Sequence, residues 1–217
     1  LDVKNLIFKQ IFHLTLIVFS KKNYFYDLIS NQKILFMINY YSKFNFFLIT
    51  FLCSGTLYLQ AQDYDIIPIQ SGFNGDVIIN GVGSPSSSVN SHLDASGYAL
   101  LSIDYKEFSG SAALSYGLPA DGRITTEVAR TPGLEFQMAD YSQNNVLRLS
   151  SANQEGTLTF QNSFKTESLY MLATAGNGPA IVDVKVNFGD GSSQTFASVS
   201  ISDWFGGTDY AIKGWQI

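Results

Sequence analysis

The chain has 217 residues, enough for one domain of ordinary size with a hydrophobic core, and a formal net charge of −5. The charge is uneven: residues 1–62 hold six Lys against two acidic residues, whereas residues 63–217 hold seven Lys or Arg against sixteen Asp or Glu, a balance of −9. Such an acidic region excludes nucleic acid and anionic membrane surfaces as favoured partners, because a phosphate-binding face must supply positive charge.

Residues 1–36 begin without Met and show no useful hydrophobic period. The apolar run 6–19 is interrupted by Lys9, Gln10 and His13, and is too short and too polar to span a bilayer. Met37 is the first methionine, and residues 37–62 read as a secretory signal peptide. Lys43 supplies the positive end, residues 46–52 the apolar core, and residues 55–62 the cleavage zone. Residues 1–36 are therefore expected to be an upstream extension outside the mature protein, and the mature chain to be secreted or held at the cell surface without a membrane span. The only cysteine, Cys53, follows bulky Phe51 and Leu52, unlike an acylated lipoprotein cysteine. The acidic region thus has no thiol for a disulfide, thiolate catalysis or a Cys-based metal site.

Beyond residue 62 the signals are strands and turns, and residues 63–217 read as one domain. Pro68 interrupts the apolar run 66–69, which suits an edge strand. Residues 77–79 follow a Gly-Phe-Asn-Gly turn, and the Gly-, Pro- and Ser-rich stretch 81–91 marks a loop. Residues 98–103 are apolar enough for a central strand. Leu134, Phe136 and Met138 alternate with polar residues, as do Leu158 and Phe160, while Leu147 and Leu149 flank Arg148 after an Asn144-Asn145 turn. Residues 169–173 are apolar on both faces, the pattern of a strand covered on both sides.

The strongest signal spans residues 182–205. Val182, Val184, Val186 and Phe188 alternate with Asp183, Lys185 and Asn187, and Asp190-Gly191 then turns the chain. A two-residue Asp-Gly loop predicts a type I′ hairpin with Val182 opposite Val199, Val184 opposite Ala197 and Val186 opposite Thr195. It also sets Phe196 opposite Lys185 on an outer face shared with Ser198, Ser200, Ser202 and Trp204. Many short strands without a long amphipathic helix predict an all-β fold, a two-sheet antiparallel sandwich, with an up-and-down barrel as the competing layout.

The segments 156–160, 169–174, 187–196 and 202–207, including Asn187-Phe188-Gly189-Asp190-Gly191 and Asp203-Trp204-Phe205-Gly206-Gly207, follow one another as in a group of secreted bacterial β-sandwich modules. The chain from residue 64 onward resembles these galactose-binding-domain-like jelly rolls, which occur beside glycoside hydrolases, in adhesins and in cargo of type IX secretion. The resemblance implies an accessory module, and a reading frame that continues past Ile217 into closing strands and further domains. It also implies a structural calcium ion as an open option; Asp63, Asp65, Asn74 and Asp76 near the start and Asp203 and Asp209 near the end are candidate oxygen donors by residue type, in no EF-hand or repeat-type calcium loop.

Catalysis is hard to build from this sequence. His92 is the only histidine after the signal region, and it lies in the Ser-rich loop without a nucleophile or a paired metal motif. Sixteen carboxylates supply candidates for a glycosidase pair and single out none. A sugar-binding face needs an aromatic ring against the apolar face of a pyranose and polar groups for its hydroxyls. Trp204, Phe196, Trp215, Lys185 and Tyr141 are the candidate residues for a polysaccharide or glycan, with Tyr98 and Asn177 from loops, although a plug at the end of the core is the favoured reading of Trp204. The sequence therefore predicts a non-catalytic, carbohydrate-binding module. A structural or adhesive spacer is the alternative, and a hydrolase domain the least favoured reading.

Overall fold

The computed structural model describes residues 2–10, 18–22, 63–112, 114–206 and 211–212, and these form an all-β fold with one short helix. In chain order the elements are β1 (Asp2–Gln10), β2 (Val18–Lys22), β3 (Tyr64–Ile66), β4 (Ile69–Ser71), β5 (Ile78–Ile79), α1 (Pro85–Ser88) and β6 (Leu100–Leu101). They continue as β7 (Arg123–Thr125), β8 (Glu135–Gln137), β9 (Glu155–Lys165), β10 (Ser168–Leu172), β11 (Ala180–Phe188) and β12 (Ser193–Ile201). The expected signal segment 37–62 lies outside the described residues. No helix among the described residues is long and apolar enough to cross a membrane.

The largest sheet has the order β12-β11-β1-β9-β4, with every neighbouring pair antiparallel. A second sheet runs β10-β2-β3, also antiparallel. Pro68 explains how the chain passes between them: β3 ends the second sheet, β4 ends the first, and the ring that cannot donate to a ladder sits between. Two short pairs complete the sheets, β7-β8 antiparallel and β5-β6 parallel. The central strand expected over residues 98–103 is limited to Leu100–Leu101, and the Ser-rich loop contains the single turn of α1, opened by Pro85.

The alternation along β10 shows how the layers stack. Leu169 and Met171 pack on a core formed by Val3, Leu6, Phe8, Leu147, Leu149, Leu158, Phe160, Val182, Val184, Val186 and Ile201. Tyr170 and Leu172 face a second core of Val77, Ile78, Leu93, Leu118, Ile124, Leu134, Phe136, Met138, Tyr141 and Val146. Successive strand side chains point to opposite faces, so β10 is covered on both sides, as the apolar run 169–173 predicts. The architecture is a sandwich of two sheets extended by a third, smaller layer around β7-β8.

The hairpin of β11 and β12 exists as predicted, but its turn differs. The N–H of Gly191 donates to the carbonyl of Phe188 at 3.2 Å and the N–H of Phe188 to that of Ser192 at 2.9 Å, enclosing three loop residues. Gly191 has φ +87°, while Gly189 and Asp190 keep negative φ, which is a type I turn closed by a left-handed glycine instead of type I′. Near the turn, Asn187 therefore pairs with Ser193, Val186 with Gln194, Lys185 with Thr195 and Val184 with Phe196. A bulge at Ser198, with φ +56°, restores the register so that Val182 pairs with Val199 as expected. Asp183 holds the bulge by accepting the Ser198 N–H at 2.8 Å. The correction moves Phe196 to the core-side face beside Val184 and leaves Lys185 on the opposite face.

Residues 2–10 and 18–22, expected to fall outside the mature protein, form β1 and β2. Strand formation does not bear on whether processing removes them. In β1 the side chains of Val3, Leu6 and Phe8 are buried although 3 and 6 differ in parity, because the register shifts by one residue between Val3 and Asn5.

Candidate functional site

Three loops meet at the end of β12 and present a row of aromatic rings. In the first, the N–H of Leu93 donates to the carbonyl of Tyr98 at 2.7 Å, and the Asp94 carboxylate accepts the Ser96 N–H at 2.8 Å. Buried Leu93 anchors this loop, and Tyr98 remains 46 % exposed. The second runs through Ala175, Gly176, Asn177 and Gly178. Its Ala175 N–H donates to Ser202 at 3.0 Å, while its carbonyl accepts the Trp204 N–H at 2.9 Å. In the third, one oxygen of Asp203 accepts the Phe205 N–H at 2.9 Å and the other accepts the N–H of Gly178. Asp203 is thereby a clamp between the second and third loops.

The rings line up. Tyr98 and Trp204 have centroids 5.3 Å apart at 49°, and Trp204 and Phe205 have centroids 5.4 Å apart at 59°. Trp204 also packs against the second core, so it is both plug and platform, whereas Phe205 is 76 % exposed. An exposed aromatic group of this kind is unusual for surface that only meets water. Asn177, in the left-handed region at φ 60°, lies in the adjoining loop.

The sequence-predicted residues are not brought to one place. Trp204 lies in the aromatic row. Phe196 lies at the open margin of the core-side face of β12, 47 % exposed, and Lys185 projects from the other face of that sheet. Tyr141 is buried, its hydroxyl donating to the Pro119 carbonyl at 3.0 Å. Burial, together with Asp121 and Asp104, pushes its phenol well above the usual range. Tyr141 is thus a core residue rather than a surface contact. Trp215 and Asp209 lie outside the described residues. Phe205 completes the row and was missed, since only the Asp203 turn shows that it faces outward beside Trp204.

Five of the carboxylates build turns. Asp94, Asp121, Asp140, Asp190 and Asp203 each accept a backbone N–H two residues on. At Asp140 the Ser142 N–H and hydroxyl, and at Asp190 the Ser192 hydroxyl and N–H, hold the carboxyl below its usual range. A cleft of about 380 Å³ carries Asp104, Asp121 and Asp140. Among the described residues, however, no three Asp, Glu, His or Cys side chains come together as a metal-ion cluster. His92 is exposed.

A second, polar cleft of about 530 Å³ is lined by Gln70, Phe73, Asp76, Asn90, Gln143 and Asn144. Its one buried carboxylate, Asp76, accepts the Asn145 amide at 2.6 Å and the Ile78 N–H at 3.2 Å through the same oxygen. Asn145 is fully buried, so the expected Asn144-Asn145 turn instead delivers a core polar partner. Desolvation raises the Asp76 pKa and outweighs the lowering by those two hydrogen bonds. A carboxyl that holds its proton to higher pH in the folded state adds stability below its unfolded value, and this is lost as pH rises through the folded one. Asp76→Asn, which keeps the acceptor and removes the charge, should be more stable than the parent at neutral pH, with the difference shrinking on acidification. Asp76→Ala should cost about 1–3 kcal/mol by leaving the Asn145 amide and Ile78 N–H without their acceptor. Urea titrations at neutral and mildly acidic pH distinguish these outcomes. The chain matches no described protein family, and no curated protein or solved structure shows detectable similarity to it.

Proposed function

We propose that this protein is a non-catalytic module that binds carbohydrate on the Tyr98, Trp204 and Phe205 row. The observation that carries the reading is the run of adjacent, partly exposed rings held by three loops, the second and third bonded to each other. Such rings offer flat π faces to the apolar side of a pyranose, and the neighbouring loop amides offer groups for its hydroxyls. Membership among galactose-binding-like accessory modules and export of the chain belong to the same proposal.

The test is a glycan panel probed with the full chain, followed by titration calorimetry on any saturable hit. Phe205→Ala should weaken binding roughly 3- to 10-fold, the worth of one aromatic contact, with the unfolding midpoint unchanged because the ring is largely exposed. Trp204→Ala should lower both affinity and stability. Absence of saturable binding across the panel would favour the spacer reading instead.

A further inference from the structure

The largest sheet is divided at its centre by a strand from the far end of the sequence. β12 pairs with β11 and β4 pairs with β9, but β1 alone joins these two pairs within the sheet. The acceptor strands lie together in sequence, between residues 155 and 201, whereas β1 comes from the Lys-bearing, acid-poor region before the expected export signal. Without β1, both β9 and β11 would present unpaired ladder edges to solvent.

The slot also has shape. Leu6 sits opposite Leu158 on one side and Val186 on the other, and Phe8 opposite Gly156 and Val184. Leu6 and Phe8 are fully buried and Val3 almost so. A Cβ at Gly156, opposite Phe8, would lie 2.6 Å from Leu147 Cδ1 and 3.0 Å from Leu149 Cδ2, so a side chain at this position of β9 would have to push both leucines aside. A paired edge on each side gives affinity, and pockets for alternate side chains give specificity.

We propose that the gap between β9 and β11 is a strand-acceptor site whose ligand is the segment Asp2–Gln10, bound as an inserted antiparallel strand that also enters in trans. The site recognises an extended peptide with large apolar side chains at the Leu6 and Phe8 positions, and it is independent of the carbohydrate reading.

The test uses the full chain carrying Leu6→Asp and Phe8→Asp, which disables its own donor, refolded with or without a synthetic peptide of residues 1–10. Alone, the variant should show a lowered unfolding midpoint or poor recovery of folded protein. The peptide should restore both and co-purify with the chain. The same peptide bearing the two Asp substitutions should bind roughly a hundredfold more weakly or not at all, because it would carry charge into an apolar core. A variant as stable as the parent, failure of the parent peptide to restore or remain bound, or equal rescue by the Asp-bearing peptide would each overturn the proposal.

Discussion

Replacing Phe8 by Ala is expected to cost about 3–5 kcal/mol, the range for truncating a buried aromatic to Ala. The ring is fully buried, and its cross-strand neighbours are Gly156, which has no side chain to relax into the void, and Val184, which is fixed in the central ladder. Lys185→Ala, on the opposite face of the same sheet and exposed, should remain within about 0.5 kcal/mol of the parent. Chemical denaturation of the full chain checks both. Carried out on exported material, the Phe8 comparison also reports on processing, since the substitution has nothing to act on if residues 1–62 have been removed. Destabilisation there would show that β1 is retained.

Phe8 also shows where sequence reading stops. A strict period of two makes Val182 to Phe188 legible as a strand, and the same logic predicts the buried face of Leu134, Phe136 and Met138 and the two-sided β10. β1 breaks that period at its bulge, so Val3, Leu6 and Phe8 do not read as one face. The hairpin register fails for a related reason. Asp190-Gly191 is compatible with both a two-residue and a three-residue loop, and the choice is made by Gly191 taking the left-handed conformation at the end of the loop and by Asp183 capping the Ser198 bulge, seven residues along each strand from the turn. That one-residue shift is enough to put Phe196 on the face away from Lys185.

The candidate site was legible in composition and illegible in assembly. Trp204 and Tyr98 are aromatics near loop residues, but 106 positions separate them, and only the closing hydrogen bonds of three loops bring their rings to 5.3 Å. Tyr141 is as suitable a residue type by sequence, yet the Pro119 carbonyl that satisfies its hydroxyl lets it enter the core. The choice between plug and platform for Trp204 is not exclusive either, since the ring packs against the second core and its neighbours Tyr98 and Phe205 are exposed.

The approach of those loops depends on Gly176, and Gly176→Ala is expected to pull the aromatic row apart. A Cβ there would lie 2.2 Å from the Leu93 carbonyl oxygen, 2.9 Å from its carbon and 3.0 Å from Asp94 Cβ. The nearest obstacle is backbone, which cannot rotate away as a side chain would. Either the 175–178 loop or the 93–98 loop must therefore move, at a cost of about 1–3 kcal/mol or more. Because Ala175 is bonded to Ser202 and Trp204, and Gly178 to Asp203, a shift of the second loop carries the third with it. Gly189→Ala is the matching control: its Cβ would meet only Asp2 at 3.6 Å, an ordinary contact, so stability should change by no more than about 0.5 kcal/mol. In a Trp215→Phe background, which leaves Trp204 as the only tryptophan, Gly176→Ala should shift the emission to longer wavelength as water reaches the indole. Unchanged emission together with an unchanged unfolding midpoint would mean that the loops tolerate the extra methyl, and that the close approach at Leu93 does not hold the row in place.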